Sequence, residues 1–76
     1  MSTILLLHGF EVMIYSRDHA PPHVHVWRSG TELVVDLEPL GIRENNRMMP
    51  KNARKAFEIV AEHQAKLLTE WQRFHP

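Results

Sequence analysis

His23-Val24-His25-Val26-Trp27-Arg28-Ser29-Gly30-Thr31-Glu32-Leu33-Val34-Val35-Asp36-Leu37 reads as a β-hairpin. Two runs rich in β-branched and aromatic residues flank Ser29-Gly30, and glycine supplies the positive φ that a two-residue hairpin turn requires. With that turn Val26 pairs with Leu33 and Val24 with Val35, which collects four branched apolar side chains on one face. A slip of one residue would scatter them, so the pattern tests its own register. The opposite face then receives His23 across from Asp36, His25 across from Val34 and Trp27 across from Glu32.

Toward the N-terminus, Thr3 to Leu7 and Phe10 to Tyr15 surround His8-Gly9 and predict a second hairpin. A two-residue turn there sets Leu7 against Phe10, Leu5 against Val12 and Thr3 against Ile14, and leaves Ile4, Leu6, Glu11, Met13 and Tyr15 on the other face. Between the hairpins, Ser16 to Pro22 is a connector that Pro21-Pro22 should hold extended, since each ring fixes φ and Pro21 also restricts Ala20. Toward the C-terminus, residues 38–49 read as a loop broken by Pro39, Gly41 and Asn45-Asn46, although Leu40 to Arg43 could add a short fifth edge strand. Pro50 suits a helix's first turn, and Ala53, Ala56, Phe57, Val60, Leu67, Leu68, Trp71 and Phe74 then recur every three or four residues. That periodicity predicts one amphipathic helix over residues 50–74, with His63-Gln64 as the place where it would break. His63 interrupts the apolar stripe and reads as a satisfied histidine at the helix–sheet interface, while Trp71 and Phe74 read as core.

The expected fold is therefore α+β, an antiparallel sheet of two hairpins with one long C-terminal helix across the face of Leu5, Val12, Val24, Val26, Leu33 and Val35. The chain has 76 residues, enough for a single domain over 1–76, divided into the two-hairpin sheet of 3–37, the loop and the helix. So small a domain hides only about 60 % of its unfolded surface, so a homodimer is the expected state. In this arrangement the histidine face stays uncovered and would serve as the dimer or ligand surface.

Zero cysteines exclude disulfides, thiolate catalysis and thiolate metal sites. Nine basic residues balance nine acidic ones, so the basic excess typical of nucleic-acid binders is lacking, although six histidines would make the chain basic on mild acidification. The longest apolar run, Ile4 to Leu7, is far too short to span a bilayer, and the expectation is a cytoplasmic protein without a membrane partner.

The chemistry-bearing residues crowd into Asp18-His19-Ala20-Pro21-Pro22-His23-Val24-His25-Val26. His23 and His25, two apart on a strand, point the same way and can converge on a divalent metal ion, with Asp36 as an oxygen ligand and with His19 or Asp18 completing the set. Two imidazoles could instead share general acid and base work on a phosphodiester, with His19, His23 and His25 as candidates and Arg17 or Arg28 stabilising developing charge. The plainer alternative makes Asp18, His19, His23, His25, Trp27 and Asp36 an interface in which the histidines pair with carboxylate and backbone. Pro21-Pro22 then acts as a rigid lead-in.

Gly9-Phe10, Tyr15-Ser16, the Asp18-to-Val26 string and a C-terminal amphipathic helix ending near Leu67-Leu68 and Trp71 together resemble the domain of unknown function 4160 family of short, mostly bacterial proteins. The family usually carries a third proline where this chain has Ala20. The resemblance implies that Asp18, His19, His23 and His25 form the characteristic site, and it assigns them no chemical role. Members are often encoded beside another small protein, an arrangement that resembles a toxin–antitoxin pair. The leading expectation is thus a small interaction module with a homodimeric or small-protein partner. The alternatives are a histidine-based ribonuclease or other phosphodiesterase, for which RNA would be the substrate, and a metal-binding protein without catalysis.

Overall fold

The computed structural model describes residues 2–76. Five strands, β1 (Ser2–Leu7), β2 (Phe10–Ile14), β3 (His23–Arg28), β4 (Thr31–Leu37) and β5 (Leu40–Asn46), form one antiparallel sheet in the order β1-β2-β3-β4-β5. Two helices follow, α1 (Pro50–Glu62) and α2 (Gln64–Phe74). Among the described residues no helix is long and apolar enough to cross a membrane.

The central hairpin has the register that its apolar pattern demands, with His23 opposite Asp36, Val24 opposite Val35, His25 opposite Val34, Val26 opposite Leu33 and Trp27 opposite Glu32. Its turn and that of the first hairpin are both of the primed kind, because His8-Gly9 and Ser29-Gly30 have positive φ at both central residues. The first hairpin pairs Leu7 with Phe10 and Leu5 with Val12 as expected, and then departs from expectation. A bulge between Thr3 and Leu5 sets Thr3 opposite Met13 and Ser2 opposite Ile14. The extra residue reverses the alternation, so Ile4 packs against the core and the Thr3 hydroxyl donates to the Glu11 carboxylate instead.

The segment after Leu37 is a strand rather than a loop. Leu37 pairs with Leu40 across the Glu38-Pro39 turn, and the strand runs on to Asn46, three residues beyond the short edge strand anticipated from sequence. Proline occupies the turn itself here, where its missing N–H costs no ladder bond.

Val12, Val24, Val26, Leu33, Val35 and Leu37 are fully buried on the sheet face covered by Ala56, Val60 and Leu67 of the helices. Apolar burial of that kind stabilises by about 25 cal/mol per Å² removed from water, which makes this face the chief source of stability. The helix is two helices, not one. At His63 the backbone leaves helical angles (φ −113°, ψ 20°), and the flanking Gln64 side chain donates to the Leu37 carbonyl at 2.7 Å. The His63 ring meanwhile bonds the Ile59 carbonyl at 2.8 Å. Satisfying a sheet-end carbonyl and one backbone oxygen of α1 takes the place that a Gly or Pro would usually have at such a kink.

Arg28 locks the first turn to the second hairpin. Its guanidinium donates to the His8 carbonyl at 2.8 Å and lies 4.7 Å from the centre of the Phe10 ring. A Cβ placed on Gly9 would meet Arg28 Nη1 at 2.5 Å, whereas one on Gly30 would meet nothing within 4 Å, and both glycines have positive φ (+81° and +76°). Gly30→Ala should therefore cost only the left-handed strain of about 1–2 kcal/mol. Gly9→Ala should cost about 1 kcal/mol more, because the guanidinium must also give up its carbonyl. Urea midpoints of the two variants, read on one slope, measure that difference; equal midpoints would show that Arg28 contributes nothing to the turn.

Candidate functional site

The connector does not run extended. It turns at Ser16-Arg17, where Asp18 N donates to the Tyr15 carbonyl at 3.1 Å, and bends again at Ala20-Pro21 before Leu37 N ties Pro22 to β4 at 3.0 Å. The loop so formed lies over the histidine face. This corrects the expectation of an uncovered face: His23 is 5 % exposed, and Met13 and Val34 are buried with it.

Asp18 Oδ2 lies 3.0 Å from His23 Nε2 and 2.7 Å from His25 Nε2. The other nitrogen of each ring is spoken for. His23 Nδ1 is 2.9 Å from the Pro21 carbonyl and His25 Nδ1 is 2.7 Å from Glu32 Oε2. A carbonyl and a carboxylate can only accept, so both Nδ1 atoms carry hydrogen, and a neutral ring then presents the lone pair of Nε2. Two such lone pairs would face one carboxylate oxygen, a repulsive contact unless protons or a cation lie between them.

Aromatic rings fix these imidazoles in place. Tyr15 stacks on His25 with centroids 4.3 Å apart, and its hydroxyl accepts from Trp27 Nε1 at 2.9 Å. The two imidazoles meet edge-on at 5.3 Å, and Trp71 of α2 stands 5.1 Å from His23. Trp71 therefore belongs both to the core and to the wall of the site. Stacked neighbours of this kind restrict ring rotation and hold the nitrogens in one geometry.

Each residue singled out from sequence has a definite place. Asp18, His23 and His25 converge, with one ligand-capable atom of each within 4.8 Å of the others. Asp36 sits opposite His23 in the ladder, but its carboxylate is taken by Arg43 of β5, with Nη2 at 2.6 Å and Nε at 2.8 Å. His19 and Arg17 are exposed on the connector, Arg28 is engaged at the first turn, and Trp27 lies beside the cluster through its bond to Tyr15. His63 remains at the helix junction.

Glu32, Tyr15 and Trp71 complete the site without having been assigned to it. Glu32 had a readable signal, since a residue opposite Trp27 is the diagonal neighbour of His25, and a long side chain spans that distance. Glu32 reaches further still, for its Oε1 accepts from Asn46 Nδ2 at 2.8 Å. Trp71 had none, because helical periodicity reports only that a residue faces the sheet.

A family model described as Domain of unknown function (DUF4160) matches residues 9–72, a span that includes every residue of the cluster. No curated protein and no solved structure matches the chain.

Proposed function

Because the chain belongs to the Domain of unknown function (DUF4160) family, whose description carries no chemistry, we propose a function from the site itself: a divalent transition-metal-binding module whose ion is held by Asp18, His23 and His25. The observation that carries this reading is the convergence of two imidazole lone pairs and a carboxylate oxygen on one point, each imidazole oriented from behind by a hydrogen-bond acceptor. Outer partners of that kind, a backbone carbonyl for one histidine and a carboxylate for the other, are what metal-ligating histidines use to fix tautomer and raise basicity.

Charge bookkeeping favours a cation over protons. With Asp18 and Glu32 ionised, either two imidazolium protons or one divalent ion neutralises the cluster. The first choice places two positive rings 5.3 Å apart, and the second leaves both rings neutral. Ligand atoms bound tetrahedrally at 2.0–2.1 Å lie about 3.3 Å from one another, so an ion would require the Asp18 carboxylate, 3.0 and 2.7 Å from the two rings, to retreat by a few tenths of an ångström. Nitrogen-rich ligation selects zinc, nickel, cobalt or ferrous iron over magnesium or calcium. Three protein ligands also leave a coordination position for water or for a ligand's oxygen.

The interaction reading, in which the chain pairs with a copy of itself or with a small cognate protein as in a toxin–antitoxin-like pair, draws on β1. That strand is an edge of the sheet and carries Leu6, 71 % exposed. Native mass spectrometry tests both readings together. The metal reading expects one zinc or nickel ion per chain, lost in Asp18→Ala and retained in Asp36→Asn, and it fails if the two variants behave alike. The interaction reading expects a dimer whose mass survives chelation; a monomer at micromolar concentration removes its self-pairing form.

A further inference from the structure

A cleft of about 460 Å³ opens beside the cluster, lined by Trp27, Gly30, Glu32, Asn45, Asn46 and Arg47, and its volume is in the range of roughly 300–1,000 Å³ common to small-molecule sites. Its parts are fixed before any ligand arrives. The indole of Trp27 is oriented by the bond from Nε1 to the Tyr15 hydroxyl, which leaves the ring face as its recognition surface. Both Glu32 oxygens are engaged, one by His25 and one by Asn46, so the carboxylate is held in one position by its partners.

Arg47 is the unusual element. It is a non-glycine residue at φ +71°, a conformation that costs energy and persists only where the surroundings impose it. Here they do: the Asn45 side chain accepts from Met48 N at 2.8 Å and donates to Met48 O at 3.0 Å, so it clamps the residue after Arg47 while Met48 itself is buried. Among the described residues Arg47 makes no ion pair, whereas Arg43 and Arg73 do. The backbone is thus held in a strained shape at a residue that lines the cleft together with the oriented indole and has no ion-pair partner among the described residues.

The charge of the chain, balanced overall, is uneven here. Arg43, Arg47, Lys51, Arg54 and Lys55 place five of the nine basic residues within 43–55, where Glu44 is the one carboxylate. Lys51, Arg54 and Lys55, with Asn52 and Glu58, line a second shallow depression on α1, next along the chain from Arg47. The start of α1 thus carries further basic side chains, of the kind that a backbone with repeated phosphates would use.

We propose that the Trp27–Arg47 cleft binds a nucleotide unit, its base stacked on Trp27 and its phosphate paired with Arg47. Stacking on an indole is open to any base, and a guanidinium matches a phosphate through paired N–H donors. The unit can come from a free mononucleotide or from single-stranded RNA, and the basic start of α1 separates the two sources.

Fluorescence titration of the full chain with the four nucleoside monophosphates and with a hexameric single-stranded RNA, at low salt and with chelator present, tests the inference independently of the metal. Saturable quenching is expected, with Trp27 as the responding ring because Trp71 is 4 % exposed. Arg47→Ala should weaken binding roughly tenfold. Binding of the Trp27→Ala variant, followed by calorimetry, should weaken by a similar or larger factor. A Lys51→Ala/Arg54→Ala double variant should lower affinity for RNA and its salt dependence if RNA is the source, and leave mononucleotide affinity unchanged if the free nucleotide is. No saturable binding by folded protein, or binding indifferent to Arg47→Ala, overturns the proposal. Binding that persists in Asp18→Ala keeps it standing even if no metal is found.

Discussion

His25→Ala is expected to abolish the metal-induced rise in Tm and to destabilise the metal-free protein as well. The imidazole joins two carboxylates, Asp18 at 2.7 Å and Glu32 at 2.7 Å, and stacks under Tyr15. Its side chain is 13 % exposed and that of Glu32 is 14 % exposed, so truncation leaves a shielded carboxylate with one fewer donor. Removing one partner of such a pair costs about 2–4 kcal/mol. For the loaded wild type, a free ion concentration a hundred times Kd adds about 2.7 kcal/mol, which in a domain of this size lifts Tm by roughly 10–20 °C. Thermal unfolding with and without zinc, on wild type and variant, reads both effects. If the cluster acts as argued, adding Glu32→Ala to His25→Ala should recover part of the lost stability, since the stranded carboxylate goes with it. A metal shift that persists in His25→Ala would remove that histidine from the ligand set.

The largest effect on folding is expected from Leu33→Ala. Leu33 is fully buried, pairs with Val26 on one side and Asn45 on the other, and faces the helices from the middle of the sheet. Truncating a buried leucine costs about 2–5 kcal/mol, depending on how far the cavity collapses. At roughly 0.05–0.15 kcal/mol per residue, a chain this short has a total stability of only about 4–11 kcal/mol. Chemical denaturation should therefore find Leu33→Ala partly unfolded or close to it at room temperature. Leu6→Ala, at a site 71 % exposed, should fall within about 0.5 kcal/mol of wild type. Equal losses at the two positions would mean that the sheet's covered face is not where the stability lies.

How legible these features were depends on what each one rests on. The central register could be read because a single turn and a single apolar pattern agreed on it, and both are local. The bulge at Thr3/Leu5 could not, since Ile4, Leu5, Leu6 and Leu7 are all apolar and a run without alternation does not choose between faces. The turn at Glu38-Pro39 was hidden by its own residues, for a proline announces a break whether the chain wanders or reverses. At the site, His23 and His25 were visible as a strand pair, and Asp18 entered through its place in the same string. Asp36 against Asp18 was a different kind of question. The ladder put Asp36 directly across from His23, but the choice fell to Arg43, a residue of the strand whose full length the sequence concealed. Whether Arg43 reaches Asp36 depends on β5 pairing with β4, which a merely possible edge strand leaves open. Trp71 was legible as core and illegible as a wall of the site, because its second contact depends on where the kink at His63 directs α2.

The strand order bears on how the protein comes into being. Every strand pairs with its neighbour in sequence, so no segment must wait for a distant partner, and the sheet can assemble by adding one hairpin to the next. The three converging residues and the carboxylate behind them all fall between Asp18 and Glu32, a span of fifteen residues that needs only the connector and the central hairpin. Only Trp71 arrives later, with the last helix. Emerging from the ribosome, the chain would thus assemble its histidine cluster before the element that closes over it has been made.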